Sequence, residues 1–183
     1  MKKVAIVGVG PTGIYTFHAL VERGEPLEIE LYEQAEEAGV GMPYNSDNNA
    51  DFMLANIASI EIPPIYISYL TWLQNQSDDY LAQFRIERNS LHERQFLPRV
   101  ILGDYYRDRL FAIVEKARGS GFTISINELS KVTTCKRPRM GSLCGSIMLY
   151  SLSRWTSPLS PPVICGLKRM YRHGSFSPAR GPV

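Results

Sequence analysis

Val4, Ala5, Ile6 and Val7 stand together with no polar residue among them, a pattern that predicts a parallel strand covered on both faces. A glycine-rich turn, Gly8-Val9-Gly10-Pro11-Thr12-Gly13, follows at once. From Thr12 to Arg23 the apolar period becomes helical, with Ile14, Phe17 and Val21 on one side. Leu27, Ile29 and Leu31 then alternate with Glu28 and Glu30, which predicts a second strand ending at Tyr32-Glu33.

No element is clear from Gln34 to about Ile67, a length that in a folded domain points to a functional loop. Its apolar groups, Gly39 to Tyr44 and Met53 to Ile57, predict a loop that packs and covers a ligand. Tyr69, Leu70, Trp72 and Leu73 take helical spacing within Ser68–Gln76. Ser77 ahead of Asp78-Asp79 predicts a capped second short helix. A long helix is expected from Leu97-Pro98-Arg99 to Arg118, with Leu102, Tyr106, Leu110, Ile113, Val114 and Ala117 on one face, stopped by Gly119-Ser120-Gly121. Phe122–Ile126 and Leu129–Thr133 read as strands. The order is that of an α/β fold, a Rossmann-like parallel sheet with helices.

The turn carries candidate chemistry because each glycine has a physical reason to be there. Gly8 allows the sharp turn, Gly10 the close approach of backbone to a pyrophosphate, and Gly13 the close packing of helix on strand, while Pro11 and Thr12 open the helix whose positive end faces the phosphates. Glu33, 20 residues after Gly13, brings a carboxylate to the second strand's tip, where it can accept hydrogen bonds from a ribose.

Charge divides the chain of 183 residues in two. Met1–Glu128 holds all 18 acidic residues against 11 Lys and Arg, a balance of −7, whereas the remainder has no acid and 9 basic residues. All three cysteines, Cys135, Cys144 and Cys165, lie in that remainder, and with His173 they do not match C-x₂₋₄-C metal spacing, so no metal site is expected. His18 and His92 lack the neighbouring acid and nucleophile of a triad. No apolar run reaches the roughly 20 residues that cross a bilayer, and a cytoplasmic protein is expected.

The segments VAIVGVGPTG, Glu33, GVGMPY, LANIAS, FLPR and Gly103-Asp104-Tyr105-Tyr106-Arg107-Asp108 together resemble the FAD/NAD(P)-binding flavoprotein oxidoreductases, over about residues 1 to 134. The resemblance implies that Gly8, Gly10 and Gly13 cradle the FAD pyrophosphate, that Glu33 binds the adenosine ribose, and that the Gly39–Tyr44 loop, Gly41 included, lies toward the flavin. It also implies that the backbone at Val132 sits by the adenine. Glu33 favours an unphosphorylated ribose, hence FAD over NADPH at this site, with NAD(P)H the electron donor of an intact member. Arg99 offers a guanidinium fork to a phosphate or substrate anion, or else lies in solvent or a salt bridge at the helix start.

After Thr134 the family pattern stops: neither the strand ending in ATG-H nor the later S-P-W is present in the written frame. With a free choice among synonymous codons, joining the third base of each codon to the first two of the next lets Thr156–Gly166 spell LAIIATGHLW and Phe176–Val183 spell FPSPWSG. The expectation is therefore a one-nucleotide slip near codons 133 to 135, leaving a partial FAD-binding domain over 1–134, inactive alone, and a poorly structured basic tail over 135–183. No second GxGxxG supplies a nicotinamide site, so catalytic residues and substrate stay open. The alternative is a non-enzymatic nucleotide-binding module whose tail, with Tyr150, Trp155, Tyr171 and Phe176 among its basic residues, binds nucleic acid or an acidic partner.

Overall fold

In the computed structural model the described residues are 1–50, 52–136 and 151–154. Strand β1 (Lys2–Val7) leads through the glycine turn into helix α1 (Pro11–Glu22), and strand β2 (Leu27–Tyr32) follows. Two short helices, α2 (Tyr69–Gln74) and α3 (Asp78–Gln83), and the long α4 (Arg99–Gly119) precede strand β3 (Thr123–Asn127). The three strands form one parallel sheet in the order β1-β2-β3, with Lys2 opposite Leu27 and Glu28 opposite Thr123 at the start of each ladder. Parallel neighbours need crossovers, and helices supply them: α1 and α4 pack on each other and on β1 and β3 respectively.

The periodicities explain the packing. Ile14 and Phe17 of α1 are fully buried and Val21 nearly so; they meet Ile29 and Leu31 of β2 within one apolar cluster. The Ser77 hydroxyl caps α3 as expected, accepting the Tyr80 N–H, and the Ser68 hydroxyl caps α2 in the same way by accepting the Thr71 N–H, each at 3.1 Å. Helix α4 buries its expected face and more: Val100, Ile101, Gly103 and Tyr105 are also buried, because α2 and the long loop cover further sides. Its end is fixed by Gly121 at φ +84° and by the Phe122 N–H donating to the Ala117 carbonyl at 3.0 Å.

Two expectations change. β1 is not covered evenly: only Ile6 is buried, while Val4, Ala5 and Val7 are half-buried, because β1 is an edge strand that pairs with β2 alone among the described residues. The fourth strand, β4, runs over Val132–Lys136 instead of Leu129–Thr133. Leu129 adopts φ +51°, a left-handed conformation that ends extended structure, and the chain turns there before β4 begins. β4 pairs antiparallel with β5 (Ser151–Arg154), Cys135 opposite Leu152 and Lys136 opposite Ser151. The other residues of the expected 135–183 tail, including the aromatic and basic ones proposed to meet nucleic acid, lie outside the described residues.

Candidate functional site

The glycine turn sits where β1 ends. Gly8 has φ +85°, a conformation an L side chain rarely adopts, and its N–H extends the ladder by donating to the Tyr32 carbonyl at 2.8 Å. A Cβ on Gly13 would lie 2.1 Å from the Gly8 carbonyl oxygen, so glycine is what lets α1 start this close to the strand. At Gly10 a Cβ would lie 3.3 Å from the Cα of Gly41: the loop after β2 comes up to the glycine turn at the point where room was expected for a pyrophosphate. Gly41 itself has φ +72° and abuts Pro11. The first turn of α1 has no side-chain cap and no acidic residue of its own.

Glu33 is buried and tied into this turn. One carboxylate oxygen accepts the Val9 N–H at 2.8 Å and the other the Ala35 N–H at 3.1 Å. Its backbone N–H donates to the Asn127 carbonyl at 2.9 Å, and its carbonyl accepts the Ser130 N–H at 2.7 Å. Each carboxylate oxygen retains further acceptor capacity. Val9, fully buried, is held at both polar atoms, since its carbonyl accepts the Gly39 N–H at 2.8 Å. The turn is thus braced by β2 and by the loop that follows it.

Val132 opens β4 two residues beyond Ser130, so the Ser130–Glu33 bond brings the start of β4 beside the end of β2. Arg99 stands apart from the turn, at the start of α4. Its backbone N–H donates to the Met53 carbonyl at 2.8 Å and its Nε to the Leu54 carbonyl at 3.1 Å. No acidic side chain pairs with it among the described residues, which leaves the rest of the guanidinium for an anion. Tyr106 forms an aromatic floor with Tyr15 and Tyr44 at ring distances of 6.2 and 5.8 Å. Burial pushes the Tyr15 and Tyr106 hydroxyls up, so they stay protonated and neutral.

The sequence pattern assigned no role to Ala38, Arg107 or Glu128, yet these hold the loop. Ala38 donates its N–H to Glu128 Oε1 at 2.8 Å, and its carbonyl accepts from Arg107 Nη1, also at 2.8 Å. Arg107 and Glu128 lie 3.2 Å apart. A Cβ on Gly39 would fall 2.7 Å from the Arg107 Cα, and one on Gly103 2.7 Å from the Tyr44 carbonyl oxygen. The signal available was the pair of glycines, Gly39 and Gly103, one on each segment, which marks two backbones in close approach.

The chain has relatives among known proteins. It is 54% identical over 133 residues to the Escherichia coli (strain K12) protein YdhS, itself uncharacterized. That match covers 73% of this chain but 25% of YdhS, so the chain spans about a quarter of its relative's length. Among solved structures, Thermovibrio ammonificans THI4 is similar with a TM-score of 0.33 and 16% identity, over 82% of this chain and 45% of that one. A family model described as FAD-NAD(P)-binding matches residues 5–144, and the chain belongs to that family.

Proposed function

We propose that the chain binds FAD through the adenosine diphosphate half, with Gly8–Gly13 as the pyrophosphate cradle and Glu33 as the ribose acceptor. The observation that carries this reading is the bond from Glu33 to the Val9 N–H, which brings the one buried carboxylate at the end of β2 to the glycine turn. The residues present fit such a group. Gly8 and Gly13 let the turn lie close on the start of α1, whose first turn carries no side-chain cap and no acid of its own, so its N–H groups suit a phosphate. Pro11 and Thr12 set the direction of that helix start, and the backbone at Val132 borders the adenine. Arg99, at the start of α4, would meet an anionic part of the cofactor or a substrate.

The preference for FAD over NADPH rests on charge. A 2′-phosphate beside the Glu33 carboxylate would meet a like charge in a buried setting, whereas free ribose hydroxyls donate to it. When bound, the flavin supplies a ring that accepts hydride from NAD(P)H, and the chain's own residues bind and orient the cofactor's other end. The oxidoreductase activity is proposed for the full-length relative rather than for residues 1–134 alone. Incubating the purified protein with FAD and removing the excess by desalting tests the reading. Retained flavin absorbance supports it, and a colourless protein at stoichiometric FAD speaks against it.

A further inference from the structure

We propose that Arg107 and Glu128 are positioning residues for this dinucleotide site, acting as a pair that clamps both polar atoms of the Ala38 residue. The inference rests on the nucleotide-binding reading above. Glu128 takes the Ala38 N–H and Arg107 takes its carbonyl, so one ion pair spanning α4 and the residue after β3 grips one point of the loop from both sides. Ala38 is fully buried, so its backbone groups, deprived of these partners, would lose well-placed hydrogen bonds.

The clamp matters because of what comes next. Gly39 follows Ala38 and donates its N–H to Val9, while Gly41 lies against Gly10 and Pro11. Moving Ala38 moves both glycines, and these two contacts brace the turn together with Glu33, which holds the Val9 N–H. Arg107 is well seated to hold them, because its guanidinium lies 5.3 Å from the Phe111 ring centre and its Cα is the surface on which Gly39 rests. Arg107 makes both bonds through Nη1, so lysine, whose ammonium sits on a shorter stem, keeps the charge but not the same reach to the carbonyl and the carboxylate.

The test uses the full chain with Arg107→Met, Glu128→Gln, the double variant and Arg107→Lys. Amide hydrogen exchange is read at Ala38 and Gly39 and, as a reference in the sheet, at Ile29 and Ile124. Binding of adenosine diphosphate is read by calorimetry. Arg107→Met and Glu128→Gln are expected to speed exchange at Ala38 and Gly39 about tenfold with Ile29 and Ile124 unchanged. They should also weaken the nucleotide by roughly 10- to 100-fold, the loss seen when an orienting partner behind a ligating group is removed. The double variant should be no worse than either single one, because the two act as a unit. Arg107→Lys, which keeps the charge and much of the stem, should fold and give a partial loss.

Unchanged protection at Ala38 and Gly39 would overturn the proposal. So would equal acceleration at Ile29 and Ile124, since that describes a general loss of stability. If the unaltered chain binds no adenosine diphosphate, the nucleotide reading and the site to be positioned fall together, while the exchange data still decide whether the pair holds the loop.

Discussion

Gly13 and Gly8 meet so closely that a single added carbon has no place: a Cβ on Gly13 would lie 2.1 Å from the Gly8 carbonyl oxygen. The neighbour is backbone, so relief requires α1 to move off the strand. Gly13→Ala is therefore expected to destabilise the fold by about 1–3 kcal/mol, the range for overpacking. Gly119→Ala is the control, because nothing lies within 4 Å of that site at the end of α4. That variant should match or slightly exceed the original chain. Urea unfolding measures both, and a Gly13→Ala chain as stable as the original would contradict the packing described.

Glu33 serves the turn as well as the proposed ribose, and variants separate the two. Glu33→Lys removes both carboxylate bonds, to Val9 and to Ala35, and places a cation in a buried site. Bonds to a charged group are each worth about 1.5–3 kcal/mol, so FAD affinity and fold stability should both fall. Glu33→Gln keeps one acceptor oxygen and the shape, and should lose affinity with a smaller loss of stability. Titration with FAD alongside thermal unfolding checks this. Unchanged flavin binding in both variants would remove Glu33 from the site.

Burial pushes the hydroxyls of Tyr69, Tyr80, Tyr105 and Tyr106 up, with the Asp104 carboxylate raising Tyr80 further through its 2.5 Å hydrogen bond. The unfolded chain gives up these protons near pH 10, while the folded chain keeps them. Their contribution to stability is thus complete below about pH 10 and is lost as pH rises through the higher folded values. An alkaline titration followed by tyrosinate absorbance should show these groups ionising together with loss of helical signal. Ionisation of all 10 tyrosines near pH 10 with the fold intact would contradict it.

Much of the scaffold was legible in the sequence because it depends on local pattern. The Val4–Val7 run, the glycine spacing and the alternation of Leu27, Ile29 and Leu31 sufficed for β1, α1 and β2. Ser77 announced the start of α3 through its own hydroxyl, and the helical spacing of Tyr69, Leu70, Trp72 and Leu73 announced α2. The long loop after β2 was not legible in the same way. Its order comes from partners far along the chain, such as the Ala55 N–H on the Leu97 carbonyl, the Ile60 N–H on the Glu93 carbonyl, and Arg107 on Ala38. No periodicity within the loop encodes those bonds. The same holds for Glu33, whose place at a strand tip was readable but whose bond to Val9 required the fold. β4 was misplaced because nothing in its apolar pattern signals the left-handed Leu129.

Acidic residues disappear after Glu128, and Thr156–Gly166 and Phe176–Val183 can be encoded, with a free choice of synonymous codons, so that the shifted frame spells family motifs, which together motivate a prediction about the gene. Restoring one nucleotide near codons 133 to 135 is expected to yield a chain that continues in the family pattern and that supplies a partner for the half-buried β1. Full burial of an aliphatic side chain is worth about 1.5–3 kcal/mol, so the repaired protein should unfold at clearly higher urea than the original. DNA sequence beyond codon 183 with early stops in the shifted frame would end the proposal.

The turn between β1 and α1, braced by Glu33, is proposed to take the adenosine diphosphate half of FAD. Calorimetric titration of one protein preparation with FAD, adenosine diphosphate and NADPH tests it directly. Saturable FAD binding at one site, displacement of FAD by adenosine diphosphate, and weaker binding of NADPH are expected. Absence of binding by both FAD and adenosine diphosphate, or tighter binding of NADPH than of FAD, would contradict it.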